Sequence, residues 1–337
     1  MSIGLRATNY TSHRFLWLPL RAVLSLCFVL VAGAAGSGRH AGAKGAAFAF
    51  GQQTEQTRQK AEPQPYLEEP LKQLVKQIPE LKGIRAAEDQ QDLPMILKKT
   101  GDGVDEFFNN AIDLVANEEI QQQRLGSFGV AVAGESVRDN YLILREGNGT
   151  QADFDEFRTD ENGNRLEQLG IHRGFLVTSG FALICAHLST AFQQDSTFRV
   201  LGEEKVGARE TYVVAFAQRS SNANLVVTMA GPSGDVVQML TQGIAWVDKE
   251  NFHVVRMRTD LLAPHPEIGL QAQTTKVNFD EVQFVDVAMP LWLPRDVSVD
   301  VKLGKYVDRP FLLEFRNVHH YTDYRRYRVS TRVVLPQ

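Results

Sequence analysis

The chain has 337 residues, with 36 Lys and Arg against 40 Asp and Glu and only two cysteines. So few cysteines exclude a fold stapled by disulfides, and the slightly acidic balance excludes the basic field that nucleic-acid binding requires. The chain is long enough to bury a sizeable core of its own.

Residues 1–49 carry no Asp or Glu but five basic residues, Arg6, Arg14, Arg21, Arg39 and Lys44. The apolar run 22–35 is 14 residues long. That is the length of a signal-peptide core and short of the roughly 20 residues that span a bilayer. Pro19 and Arg21 interrupt any extension toward Phe15. Residues 1–49 therefore read as a secretory signal peptide; a single inner-membrane anchor is the alternative. Ala32-Gly33-Ala34 and Ala47-Phe48-Ala49 both fit the small-x-small cleavage pattern. The second leaves the polar start Gly51-Gln52-Gln53. Cys27 follows Leu26 rather than a small residue, which argues against lipidation. Cleavage after residue 49 leaves 31 basic and 40 acidic residues, a net charge of −9 with His neutral. It also leaves one cysteine, Cys185, whose apolar neighbours mark it as a small buried hydrophobe. The expected location is the periplasm or the exterior.

Residues 50–65 are rich in Gln, Glu and Pro and read as a linker. Residues 66–118 read as a helical region that packs on a sheet. Pro70 opens a helix in which Leu71, Leu74, Val75 and Ile78 share a face, and Pro79 closes it. Val104, Phe107, Phe108, Ala111, Ile112 and Val115 recur with helical spacing, so the sequence predicts a helix over 104–116 with Asp102 as its N-cap.

Residues 119–337 read as the sheet domain. From about Ile120 the period becomes two. Strands are predicted at 141–145, 154–158, 198–201, 211–217, 244–247, 252–258, 276–284, 296–303, 312–318 and 327–334. Turns at Asn148-Gly149, Asn162-Gly163, Val206-Gly207 and 248–251 join several of them as antiparallel hairpins. A third helix is predicted over 181–191. Along 211–217, Tyr212, Val214 and Phe216 alternate with Val213, Ala215 and Ala217. Both faces of that strand are apolar, so it is covered on both sides or lines a cavity.

Chemical signatures are sparse. There is no phosphate loop, dinucleotide fingerprint or zinc-protease motif, and Thr178-Ser179-Gly180-Phe181 lacks the spacing of a hydrolase elbow. His319 and His320 are adjacent on a strand and so face opposite ways, which keeps them from sharing a metal; they read as a solvated strand. His253 and His265 are isolated. No catalytic residue, metal or cofactor is expected. Arg325, Arg326, Arg328 and Arg332 enrich the C-terminus and read as charge guarding an edge strand, or as a contact for an anionic partner.

One hairpin carries a resemblance. Gly243-Ile-Ala-Trp-Val-Asp-Lys-Glu-Asn-Phe-His-Val-Val-Arg-Met257 places an aromatic-centred strand before an acidic turn and a strand ending in basic residues. It resembles the corresponding hairpin of outer-membrane lipoprotein-sorting-like, carrier-like periplasmic proteins. The stretches 210–219 and 290–295 also resemble a family of exported acidobacterial proteins with no assigned activity. The first resemblance implies an α+β fold: one large, strongly curved antiparallel sheet, a half-barrel, with helices on its concave face around an apolar cavity. The helical region before residue 100 has no counterpart in the carrier family.

Two classes of function stay open. The first is a non-catalytic periplasmic binding protein that holds a lipid, an acyl chain or a lipidated segment of a protein. Phe216, Trp246 and Met257 would line its cavity, and Arg256 and Arg258, pointing outward, would dock a negatively charged partner. The alternative is a structural or sensory interaction protein of the envelope whose core is filled by its own side chains. An envelope hydrolase ranks third.

Overall fold

The computed structural model describes residues 64–110, 113–146, 153–166, 170–172, 174–178, 184–219, 225–230, 236–285, 289–304 and 312–327, single positions between these segments, and Val23–Ser25 (β1). The expected signal peptide and cleavage sites, nearly all of the expected linker, the Asn148-Gly149 turn, Arg328, Arg332 and the strand expected over 327–334 lie outside the described residues, apart from β1 and Tyr327. β1 runs parallel to Val226–Thr228 in a small separate sheet.

Among the described residues, twelve strands form one antiparallel sheet. Its order is β2 (Arg85–Ala86), β9 (Ser196–Val206), β10 (Arg209–Gln218), β13 (Thr241–Asp248), β14 (Val254–Leu261), β15 (Leu270–Val282), β16 (Leu291–Gly304), β17 (Leu312–Arg326), β3 (Leu114–Leu125), β4 (Ala131–Glu146), β5 (Asp153–Thr159) and β6 (Arg165–Leu166). The run from β9 to β17 is a meander broken only by the insert β11 (Val226–Ala230) and β12 (Val236–Met239). The first long strand, β3, then pairs with the last, β17, from Leu125 opposite Glu314 to Leu114 opposite Arg326.

Laid flat at about 4.8 Å per strand, such a sheet would be roughly 55 Å wide. Yet Tyr141 and Ile143 of β4 belong to the same continuous apolar cluster as Val200 of β9, nearly the whole sheet away. A single cluster can gather both only if the sheet curls around it. The concave side is filled by α3 (Leu93–Asn110), by the hairpin β7 (Gly170–His172) and β8 (Phe175–Val177), and by a short 3-10 turn at Ile184–Leu188. Ile96 and Val104 of α3, Leu176 of β8 and Leu188 are all buried there.

The doubly apolar strand is covered on both faces. Val214 and Phe216 of β10 belong to the concave cluster. Val213 and Ala215 join Ile244, Trp246 and Val255 in a second cluster on the opposite face. That face is capped by α1 (Pro65–Glu68), α2 (Leu71–Gln77) and a 3-10 turn at Pro79–Leu81, through Tyr66, Leu74, Ile78 and Leu81. The helices before residue 85 thus lie outside the curl and α3 lies inside.

Two helix expectations are corrected. The helix expected over 104–116 spans Leu93–Asn110, and Leu114 and Val115 already belong to β3. Asp102 is no N-cap: it sits inside α3 and ion-pairs with Lys98 one turn back. Thr100-Gly101-Asp102-Gly103 looks like a break because each helical glycine costs about 1 kcal/mol relative to alanine. Packing overrides that cost at Gly101, where a Cβ would stand 2.5 Å from Gln193 Nε2 and 3.1 Å from the Leu188 carbonyl. The helix expected over 181–191 is reduced to the 3-10 turn Ile184–Leu188.

The two glycines of α3 should respond in opposite ways. A Cβ at Gly103 would meet nothing closer than His253 Nδ1 at 3.7 Å. Gly103→Ala should therefore raise stability by about 0.5–1 kcal/mol, from helix propensity and a less flexible unfolded chain. Gly101→Ala should lower it by about 1–3 kcal/mol through overpacking. Thermal unfolding of the two variants checks this; shifts of the same sign would contradict the packing described.

Candidate functional site

The residues expected to line a cavity do not share one space. Phe216 and Met257 are fully buried on the concave side. Trp246 is fully buried on the opposite side, where its Nε1 donates to Glu204 Oε2 at 2.7 Å. Strand alternation requires this split, because Met257 lies opposite Ala245 and Trp246 opposite Arg256. Phe216 packs between His187 and Phe198, with ring centroids at 5.0 and 6.2 Å.

Arg256 and Arg258 do point away from Met257, but the face they reach is covered. The Arg258 side chain is only 12% exposed. Its guanidinium donates twice to Asp260, at 2.8 and 2.9 Å, and once to Glu80 at 3.2 Å. Asp260 also accepts from the Tyr66 hydroxyl at 2.6 Å and from Thr274 Oγ1 at 2.6 Å, and Lys276 pairs with Glu80. Arg258 thus clamps the N-terminal helices to the sheet and is no free docking group. Arg256 lies over the Trp246 ring at 5.4 Å and donates to Asn278 Oδ1 at 3.1 Å.

A space among the described residues lies between α3 and the central strands β14–β16. It is an apolar cavity of ≈ 40 Å³ that opens to solvent, lined by Val104, Phe107, Phe252, Phe279 and Trp292 with Thr100, Gly103, Cys185, His253 and Val254. Helical spacing puts Thr100, Gly103, Val104 and Phe107 on one side of α3. The turn between β13 and β14 brings Phe252 and His253, and Asp248 closes that turn by accepting the Glu250 and Asn251 N–H groups. Phe252 has φ +60°, a left-handed conformation that costs a non-glycine residue about 1–2 kcal/mol. His253 stacks on Trp292 at 5.3 Å. Burial pushes the His253 imidazole below its ordinary range, against the pull of Asp248, Glu106 and Glu281. Burial also pushes the Cys185 thiol up to about 12, so it stays protonated and unreactive.

A second constellation is polar and deep. Glu118 of β3 takes a bidentate contact from Arg158 of β5, a hydrogen bond from Tyr321 at 2.7 Å and one from His319 Nδ1 at 2.8 Å. On the other side of the ring, His319 Nε2 lies 2.9 Å from Thr178 Oγ1. Asn317 Nδ2 donates to that same hydroxyl at 3.0 Å and to the Leu176 carbonyl at 2.6 Å. Burial disfavours the Glu118 charge, but the Arg158 guanidinium and the His319 and Arg158 hydrogen bonds outweigh it and hold the carboxyl at about 2. Burial keeps the His319 imidazole below its ordinary range, so it is neutral near pH 7, with Nδ1–H donating to Glu118 and Nε2 accepting from Thr178. The order hydroxyl–imidazole–carboxylate matches a nucleophile triad. Here, however, Arg158 already matches the carboxylate, and Thr178, His319 and Glu118 are all buried. The group fastens β8 to β3 and β17. His319 thus departs from the solvated reading, while His320 on the opposite face is exposed beside Asp296.

Among the described residues, no helix is long and apolar enough to cross a membrane, and no group of three or more His, Cys, Asp or Glu is placed to hold a metal. No family model and no curated protein matches the chain. Solved structures of similar fold include a domain assigned to outer membrane lipoprotein-sorting proteins from Vibrio parahaemolyticus, at 12% identity over 68% of this chain and 91% of that one, TM-score 0.35. A DUF1329 family protein from Desulfovibrio piger matches at 12% identity over 69% and 92%, TM-score 0.35. Lipoprotein LppX from Mycobacterium tuberculosis matches at 10% identity over 50% and 88%, TM-score 0.20.

Two measurements test these assignments. Arg258→Ala should cost about 2–3 kcal/mol, because it removes the cation shared by Asp260 and Glu80 and leaves Asp260 with neutral partners only. Arg256→Ala should cost about 0.5–1 kcal/mol, the worth of one cation–π contact. Equal losses in denaturant titrations would refute the clamp. Acid should also loosen the fold in one direction. Glu118 is held below its ordinary 4.5, so its contribution is present above that value and is lost as pH falls toward about 2. His319 and His187, the latter pushed to about 4 by burial, resist protonation that the unfolded chain accepts below 6.5. Stability contributed by these groups should be level above pH 7, decline from about 6.5 and steepen below 4.5. A melting temperature constant from pH 7 to pH 4 would contradict the network.

Proposed function

We propose that the protein is an exported, non-catalytic binding module that takes an alkyl or acyl chain between α3 and the curved sheet. The observation that carries this reading is the cavity under α3, whose walls are aromatic and aliphatic and whose mouth is open. An apolar slot that reaches solvent with few polar groups in its wall is the ordinary form of a site for a hydrophobic ligand. The acid-free, apolar N-terminal stretch supports export, with cleavage before the linker and residence in the periplasm or outside the cell. A lipid or a lipidated segment of an envelope protein is the natural partner class.

At ≈ 40 Å³ the cavity admits only the end of a chain. A longer ligand requires α3 to move away from β14–β16. Two glycines in its middle make α3 an intrinsically weak helix, and it owes its order to packing. Phe216 and Met257, buried deeper on the same concave side, would be reached only after such a movement.

A second reading is supported by the fullness of the remaining core. Phe216, Met257, Leu293 and Val277 are each fully buried among their own neighbours. On that reading the protein is a structural or sensory component of the envelope that binds through its outer surface.

Trp292 lies at the cavity and Trp246 on the far side of the sheet, so tryptophan emission discriminates between the two readings. Single-chain amphiphiles should shift the emission of the native protein and leave Trp292→Phe unresponsive. Val104→Trp should fill the cavity, abolish the response and cost about 1–3 kcal/mol by overpacking. Native mass spectrometry of gently purified protein should show an alkyl or acyl adduct. No adduct and no response at any chain length would leave the second reading standing.

A further inference from the structure

We propose that the cavity under α3 receives an uncharged, hydrogen-bonding head, so that its ligand is an alkyl alcohol or ester and not a carboxylate. This rests on the binding reading above and specifies which end of the ligand enters.

The first observation is Thr100. Its side chain lines the cavity, the residue is 1% exposed, and Oγ1 has no hydrogen-bond partner. A buried hydroxyl left unpaired is destabilising, and native proteins retain few of them. In a cavity that opens outward, a ligand oxygen can supply the missing partner. The second observation is His253, the other strongly polar side chain in the lining, whose ring lies across from Gly103. A Cβ at 103 would stand 3.7 Å from its Nδ1, an ordinary contact, so the ring borders the cavity beside α3. Together, Thr100 and His253 give one hydroxyl and one imidazole, each able to donate or accept. Size agrees: ≈ 40 Å³ holds about three water-sized groups, which suits a terminal hydroxymethyl or an ester oxygen with its neighbouring carbons. The tail then runs outward along Phe107, Phe252 and Trp292.

Charge argues against a carboxylate. The acids Asp248, Glu106 and Glu281 all bear on His253. Arg209 lies over Trp292 but is engaged by Asp248 and Glu281. Lys99 is exposed, with its ammonium 4.3 Å from the Phe252 ring centroid, at the rim and not within the cavity. An anionic head pushed inward would lose its water without gaining a cation.

The test compares 1-octanol, octyl acetate and sodium octanoate on the native full chain, read by Trp292 emission and by calorimetry. Octanol and octyl acetate should bind at least about tenfold tighter than octanoate. Thr100→Val, nearly the same shape, should weaken octanol about tenfold and leave octanoate unchanged, whereas Thr100→Ser should keep the preference. Free Thr100→Val should also melt no lower than the native protein, because it removes an unpaired hydroxyl. Octanoate binding as tightly as octanol, or octanol affinity unaltered in Thr100→Val, overturns the head-in assignment while leaving the cavity reading intact. No binding of any of the three overturns the cavity reading itself.

Discussion

The structure depends on one constraint: a twelve-stranded antiparallel sheet in which β10 and β13 are apolar on both faces must be covered on both sides there. Neither face of β10 can be left to water. Val214 and Phe216 require filling from one side and Val213 and Ala215 from the other. Curling the sheet lets one helix, one hairpin and a short 3-10 turn fill the concave side. The other side needs a separate cover, and α1 and α2 supply it. The alternation of large and small side chains along β10 reflects the same division, with Phe216 reaching into the deep interior and Ala215 leaving room for the close cover above.

Covering a sheet brings polar groups into the core, and each must find a partner. On the concave side, Glu118, Arg158, His319, Tyr321, Thr178 and the amide nitrogen of Asn317 bond to one another and tie β8 across β3 and β17. On the opposite side, Arg258, Asp260, Tyr66 and Glu80 do the same for the N-terminal helices. Such pairs contribute less net stability than well-packed apolar groups would, but removing one member leaves a buried charge exposed to its own desolvation. They therefore act mainly to fix which segment lies where. Thr100, like Ser196, leaves its hydroxyl without a partner. The Thr100 side chain sits in the cavity wall.

The site was less legible in the sequence than the fold. Tyr212 to Ala217 announced a strand with two apolar faces, but a pattern of alternation cannot say what covers each face. Trp246 and Met257 are neighbours on hairpin strands and look like companions in a cavity; their strand positions put them on opposite sides. Strand alternation puts Arg256 and Arg258 on the face opposite Met257. That their face is itself covered depends on where residues 66–81 fold, which no local signal announces. His253 and Trp292 gave no sequence signal of a site, since they meet only because β14 and β16 flank β15 and the turn after β13 folds over α3. The helical period of Val104 and Phe107 was legible, although the start of α3 was obscured by glycines that packing tolerates.

By itself, the sequence determined the class of the molecule: an apolar, acid-free N-terminal stretch, a short helical region and a long series of period-two strands joined by tight turns. These are local properties, set by side-chain alternation, by turn residues such as Gly163 and Gly207 with φ of +79° and +61°, and by the absence of charge. Tertiary structure alone decided the partnership of β3 with β17, the side on which each helix lies, and the small cavity left between α3 and the sheet. Those outcomes come from how volumes and charges far apart in the chain fit together once the sheet has curled, and volume and desolvation are not carried by any single stretch of residues.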